Sequence, residues 1–205
     1  MKGIKFMDTS ITAEAALARL REGNAEYAER GLYTGNVSPE IRHDLKEHGQ
    51  HPYACIITCS DSRVVPESAF SASLGQLFVI RIAGNVIDEY VLGSVEYAAE
   101  HLGTPLVVVL GHTECGAVAA ALGQPDDTHV GALVSEIQDA IGSERDPDYA
   151  CHLNVQHSVD RIRNEISLSG AAGKRVRIIG AVYNIESGKV DFFKEGLMAP
   201  LREEE

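Results

Sequence analysis

Leu106-Val-Val-Val-Leu110 is an unbroken apolar run that stops at Gly111-His112-Thr113-Glu114-Cys115-Gly116. With no polar position and three β-branched residues, it reads as a strand buried on both faces, the kind found in sheets covered by helices. Runs at 53–58, 77–82 and 176–183 have the same character. Helical signals fill the intervals. Thr12 can cap a helix that runs to Arg30 and stops at Gly31, and Pro39 and Gly49 bracket a shorter one. Asp88 opens a third through Leu102, a turn is expected over 66–70, and further helices over 115–122, 130–141 and roughly 148–168. The alternation predicts an α/β fold with a mainly parallel β-sheet of four to five strands flanked by helices. One domain over 1–205 is expected, with an N-terminal helical arm over 1–30. Its apolar stripe, Leu17, Leu20, Tyr27 and Ala28, is narrow enough to pack either on its own domain or on another subunit.

In such sheets ligands bind beyond the carboxyl ends of the strands. Two of those ends carry reactive groups. The 53–58 run leads into Cys59-Ser60-Asp61-Ser62-Arg63, and the 106–110 run into His112-Thr113-Glu114-Cys115. Thiolate and imidazole are the donors zinc prefers, and three protein ligands leave a fourth position open, as in catalytic sites. A structural site closed by a fourth ligand, or unrelated buried thiols, are the competing readings. Two thiolates and a neutral imidazole would leave zinc without net charge, so a nearby group must help take a proton. Asp61 is the candidate, with Arg63 able to grip it in a bidentate fork and keep it ionised. A plain salt bridge closing the loop is the alternative. Cys115 should sit at a helix start, which favours a thiolate, and Gly116 lets a small substrate approach the backbone.

The remaining candidates carry little. Cys55 shares a strand face with Ile57 and reads as core. Cys151 and His152 are adjacent on a predicted helix and point apart. The other histidines are scattered, Asp126-Asp127 falls in a turn after Pro125, and 202–205 is a solvated tail. No glycine-rich phosphate loop occurs. A formal charge of −12 argues against nucleic acid or an anionic membrane as partner. Lacking an apolar run long enough to span a bilayer, or a secretory leader, the chain is expected to be cytoplasmic. Its four cysteines are then thiols or ligands rather than disulfides.

Cys-Ser-Asp-Ser-Arg-Val-Val-Pro-Glu, Phe-Val-Ile-Arg-Ile-Ala-Gly-Asn, Gly-Ser-Val-Glu-Tyr-Ala and Gly-His-Thr-Glu-Cys-Gly-Ala-Val follow one another between about 50 and 122. In that order they resemble the β-class carbonic anhydrases, and the likeness resumes at 154–162 and 180–188. The resemblance implies zinc (Zn2+) held by Cys59, His112 and Cys115, with Asp61 and Arg63 as a catalytic dyad. In some members the equivalent of Asp61 itself ligates the metal. It further implies a substrate pocket near Gln50, Phe78 and Tyr97, with Gln50 and Tyr97 reaching across a dimer interface. The spacings agree: Gln50 lies nine residues before Cys59, Phe78 nineteen after it, and Tyr97 fifteen before His112. The implied reaction is the interconversion of CO2 and bicarbonate by zinc-bound hydroxide, in a homodimer or homotetramer. A hydrolase of carbonyl sulfide or carbon disulfide, and a non-catalytic zinc interaction module, are the alternatives.

Three positions depart from the family pattern. Ile82 interrupts the usual Arg-Asn-Ala-Gly, and Gln76 replaces an acidic residue. Ile56 stands where one branch has a Trp involved in a bicarbonate-stabilised closed state; Arg81 and Tyr183 could offer polar contacts to an anion, but an aliphatic side chain cannot donate the indole hydrogen bond. Asp61 is therefore expected to rest on Arg63.

Overall fold

The computed structural model describes residues 11–123, 129–168 and 176–194. The Asp126-Asp127 turn, the 202–205 tail and the first ten residues of the arm lie outside them. Five strands form one sheet in the order β2-β1-β3-β4-β5: β1 Ala54–Thr58, β2 Leu77–Arg81, β3 Leu106–His112, β4 Arg177–Tyr183 and β5 Val190–Phe192. The first four run parallel, and β5 is antiparallel to β4. Successive residues of a strand face opposite sides, so an all-apolar strand needs two covers. Ile56, Val108 and Ile179 look to one side, and Cys55, Ile57, Val107 and Val109 to the other.

The first side is closed by α1 (Ala13–Arg30), whose Ala16, Leu17 and Leu20 are buried in the same cluster as Ile56 and Val108. Of the two surfaces open to this helix, its own sheet is the one it covers. Thr12 caps it by accepting from the amide of Ala15, and Gly31 ends it with φ 63°. Inside the helix Asn24 is buried, donating to the carbonyls of Ala69 and Gly188 and accepting from the amide of Val190. This tie stitches α1 to β5. Leu20 is fully buried under the sheet, so Leu20→Ala is expected to cost about 2–5 kcal/mol of folding stability. Denaturant titration measures it; an unchanged midpoint would mean the helix is detachable.

Helix α2 (Pro39–His48) buries none of its residues, while α3 (Pro66–Ala69) is a single turn. Helices α4 (Glu89–Glu96) and α7 (Pro147–Glu165) close the second side through Val91, Leu92, Val95, Val155, Val159 and Ile162. Asp88 caps α4 as expected, but its last part, Tyr97–His101, widens into a π turn that no sequence signal announced. Helices α5 (Gly116–Leu122) and α6 (Val130–Ile141) pack with α7 as a third cluster that includes Cys59 and Cys115.

Candidate metal centre

β3 runs two residues beyond its apolar stretch, because β4 continues beside it and pairs Tyr183 with His112. His112 thus stays on the rigid sheet instead of entering the loop. β1 ends at Thr58, opposite Leu110, and the Thr58 hydroxyl donates to the Leu110 carbonyl at 2.8 Å. The two chain ends emerge side by side. The ligand atoms of Cys59, His112 and Cys115 all lie within 4.8 Å of one another, and all three residues are buried.

Three observations test this group for a cation. The His112 Nδ1 is 2.9 Å from the carbonyl of Thr113, which can only accept, so the proton sits on Nδ1 and Nε2 keeps its lone pair. That Nε2 is buried and has no hydrogen-bond partner, a cost that a metal ion would remove. The two thiols are close enough to share one charge. The Cys115 thiol, donating to the Cys59 sulfur, pulls Cys59 well below the ordinary thiol range, helped by His112 and by the amide of Gly84. Cys115 is pushed up by that bond and by burial, with the first-turn amides of Val118 and Ala117 pulling the other way. His112 is shifted upward: burial lowers it, but the Cys59 sulfur, the Thr113 carbonyl and the Asp61 carboxylate outweigh that. A divalent cation would balance both sulfurs at once, and two sulfurs with one imidazole nitrogen make a zinc set. The residues fit zinc.

Asp61 rests on Arg63. Its Oδ1 accepts from the Arg63 amide at 2.9 Å and Nε at 3.0 Å, and its Oδ2 from Nη2 at 2.8 Å. These bonds hold the Asp61 carboxyl far below the usual carboxylate range. Oδ2 is also 4.0 Å from His112 Nε2, so the carboxylate borders the centre while its charge is met by Arg63. The guanidinium is fixed from a third direction by Glu114, whose carbonyl accepts from Nη2 at 3.0 Å. Glu114 has φ 55°, a left-handed turn that lets just two residues, Thr113 and Glu114, link His112 to Cys115. Arg81 spends Nε on the Cys59 carbonyl (3.3 Å) and Nη2 on the Asp61 carbonyl (2.7 Å), bracing the loop from β2. The Tyr183 hydroxyl lies 3.5 Å from that of Tyr27.

The predicted pocket residues are elsewhere. Phe78 pairs with Cys55, four residues back along β1, which is roughly 13 Å of strand from Cys59. Its ring lies 6.0 Å from that of Tyr97, which is half-exposed on the π turn. Gln50 is exposed before the opposite end of β1. Phe78 therefore groups with Tyr97, away from the centre of its own chain. Gly116 is beside the centre, where an added Cβ would meet nothing within 4 Å. Cys55 is fully buried as expected, its thiol pushed up to about 12 by burial. Cys151 is buried in the cluster of Cys59 and Cys115 and is pushed up to about 11, also by burial; His152 stacks on Phe193.

Sequence reasoning passed over Gly84, whose amide donates to the Cys59 sulfur at 3.3 Å, and the α7 residues Asn154 and Ser158 behind it. The renewed family likeness at 154–162 was the available signal.

Comparison with known proteins places this arrangement. Residues 54–190 match the family model described as carbonic anhydrase. The carbonic anhydrase of Mycolicibacterium smegmatis is 35% identical over 86% of this chain and 91% of its own length. Carbonic anhydrase 2 of Mycobacterium tuberculosis is 36% identical over 85% and 90%. Among solved structures, the β-carbonic anhydrase CafA of Aspergillus fumigatus superposes with a TM-score of 0.69 at 27% identity, covering 88% of this chain and 90% of that one.

Proposed function

This chain belongs to the β class of the carbonic anhydrases, a family of lyases, and from that premise we propose that it hydrates CO2 reversibly to bicarbonate and a proton. The observation that carries the reading is the buried trio Cys59, His112 and Cys115, with a bare Nε2 beside an ionised, Arg-held Asp61. In this proposal the trio holds zinc, which when bound supplies a Lewis acid able to make water acidic near neutral pH.

The chain's own residues do the rest. Asp61 Oδ2 faces the centre and accepts a hydrogen bond from the reacting water, orienting the oxygen lone pair toward the carbon of CO2. Arg63 keeps that carboxylate charged, so Oδ2 remains an acceptor rather than a donor. Hydrogen bonding to Arg63 also holds the carboxylate in place beside the three donors, so that Asp61 would not serve as a further ligand to zinc. Gly116 leaves open space beside Cys115 for a small, uncharged substrate. Gln50, Phe78 and Tyr97 stand at the other end of the sheet, so their role as a substrate pocket requires a second copy, and the active unit proposed is a homodimer or homotetramer. A cytoplasmic location is part of the proposal; among the described residues no helix is long and apolar enough to cross a membrane.

Stopped-flow CO2 hydration by the zinc-loaded protein tests this, with carbonyl sulfide and carbon disulfide in parallel. Rapid CO2 turnover with slow sulfur hydrolysis is the expected result. The reverse ranking would make it a sulfur-substrate hydrolase, and no turnover of any of them would leave a zinc interaction module.

A further inference from the structure

Behind the Cys59 sulfur the chain makes a tight turn, Ala83–Asn85, in which two consecutive residues are left-handed: Gly84 with φ 67° and Asn85 with φ 46°. The amide of Gly84 points at the sulfur from 3.3 Å. Glycine rotates more freely than any other residue, so something must hold this amide on target. Helix α7 supplies it. Asn154 Nδ2 donates to the Gly84 carbonyl at 2.7 Å, and Ser158 Oγ, one turn later, donates to the Asn85 carbonyl at 3.0 Å.

Both side chains are 1% exposed. A buried amide costs stability unless its atoms are hydrogen-bonded, and Asn154 Oδ1 has no partner. Packing alone would be better served by an apolar residue. The helix that carries them is also unusually well seated. Val155 lies between them in sequence and packs where Gly111 and Gly180 lack side chains; a Cβ on either glycine would come within 2.4 Å or 2.8 Å of its methyls. Two strands and one helix are thereby locked at the level of the centre.

We infer that Asn154 and Ser158 are positioning residues that hold the 83–85 turn so that the Gly84 amide orients the Cys59 sulfur as a metal ligand. They act through the turn and touch neither substrate nor metal. The inference rests on the reading of Cys59, His112 and Cys115 as a zinc site. Partners one shell out from a ligand fix its orientation and tune its basicity, and losing one typically weakens metal binding about 10- to 100-fold.

The test is zinc affinity by chelator competition, with the cobalt-substituted protein read by its thiolate-to-cobalt charge-transfer band. Asn154→Ala is expected to weaken zinc about 10-fold or more and to shift that band, with Ser158→Ala moving both in the same direction by less. Val159→Ala, which opens a cavity on the same helix, controls for destabilisation; it should lower the melting temperature and leave affinity and band unchanged. Wild-type affinity and an unshifted band in both Asn154→Ala and Ser158→Ala overturn the inference while leaving the zinc site intact. So does an equal loss of affinity in Val159→Ala. Failure of the wild-type protein to take up zinc overturns the site and the inference together.

Discussion

Cys59→Ser/Cys115→Ser is expected to take zinc content from about one per chain to nearly none, because deprotonated ligands supply most of the binding energy. The geometry makes the effect large. Both sulfurs and His112 Nε2 sit within 4.8 Å of one another in a buried cluster, and no alternative trio of such donors occurs among the described residues. A serine hydroxyl is a far weaker ligand at neutral pH than a thiolate. His112→Ala should lose most of the metal as well, since its Nε2 is the only nitrogen in the trio and the Thr113 carbonyl keeps the other ring nitrogen protonated. Metal analysis of purified protein checks this. Full zinc in the double variant would remove the basis for the centre.

Asp61→Asn is expected to keep its zinc and lose about 100-fold or more in CO2 hydration, the scale associated with a positioned acid or base. The side chain now accepts with both oxygens: Oδ1 from the Arg63 amide and Nε, Oδ2 from Nη2. An amide keeps one acceptor and turns an NH2 toward the guanidinium, so the fork breaks. Nothing among the three metal donors changes, which separates this outcome from the first. Arg63→Ala should give a similar rate loss by a different route: the carboxylate loses the cation that fixes its position and favours its charged form. Zinc content and turnover measured on the same samples decide the matter. Near wild-type turnover in Asp61→Asn would leave the pair as a clasp for the loop.

Much of this was legible in the residues because it depends on short range. Strand runs, the Thr12 and Asp88 caps, the Gly31 stop and the helix start after Cys115 are set by side chains within a few positions of one another. The same holds for Asp61 and Arg63, two residues apart in one loop. Even the pairing of Cys59 with His112 could be argued, since a parallel sheet delivers reactive loops to a common edge.

What only the tertiary structure decided involves contacts between groups far apart in the chain. β3 reaches His112 because β4, some seventy residues later, continues the ladder beside it. Helix α1 settles on its own sheet because Asn24 finds carbonyls at Ala69 and Gly188. Phe78 shares a contact with Tyr97 because the strand register sets it beside Cys55 rather than Cys59. The clamp of Asn154 and Ser158 on the 83–85 turn spans 70 and 73 residues. Local preferences choose the elements, but hydrogen bonds between distant backbones choose their register, and at this centre register decides which atoms meet.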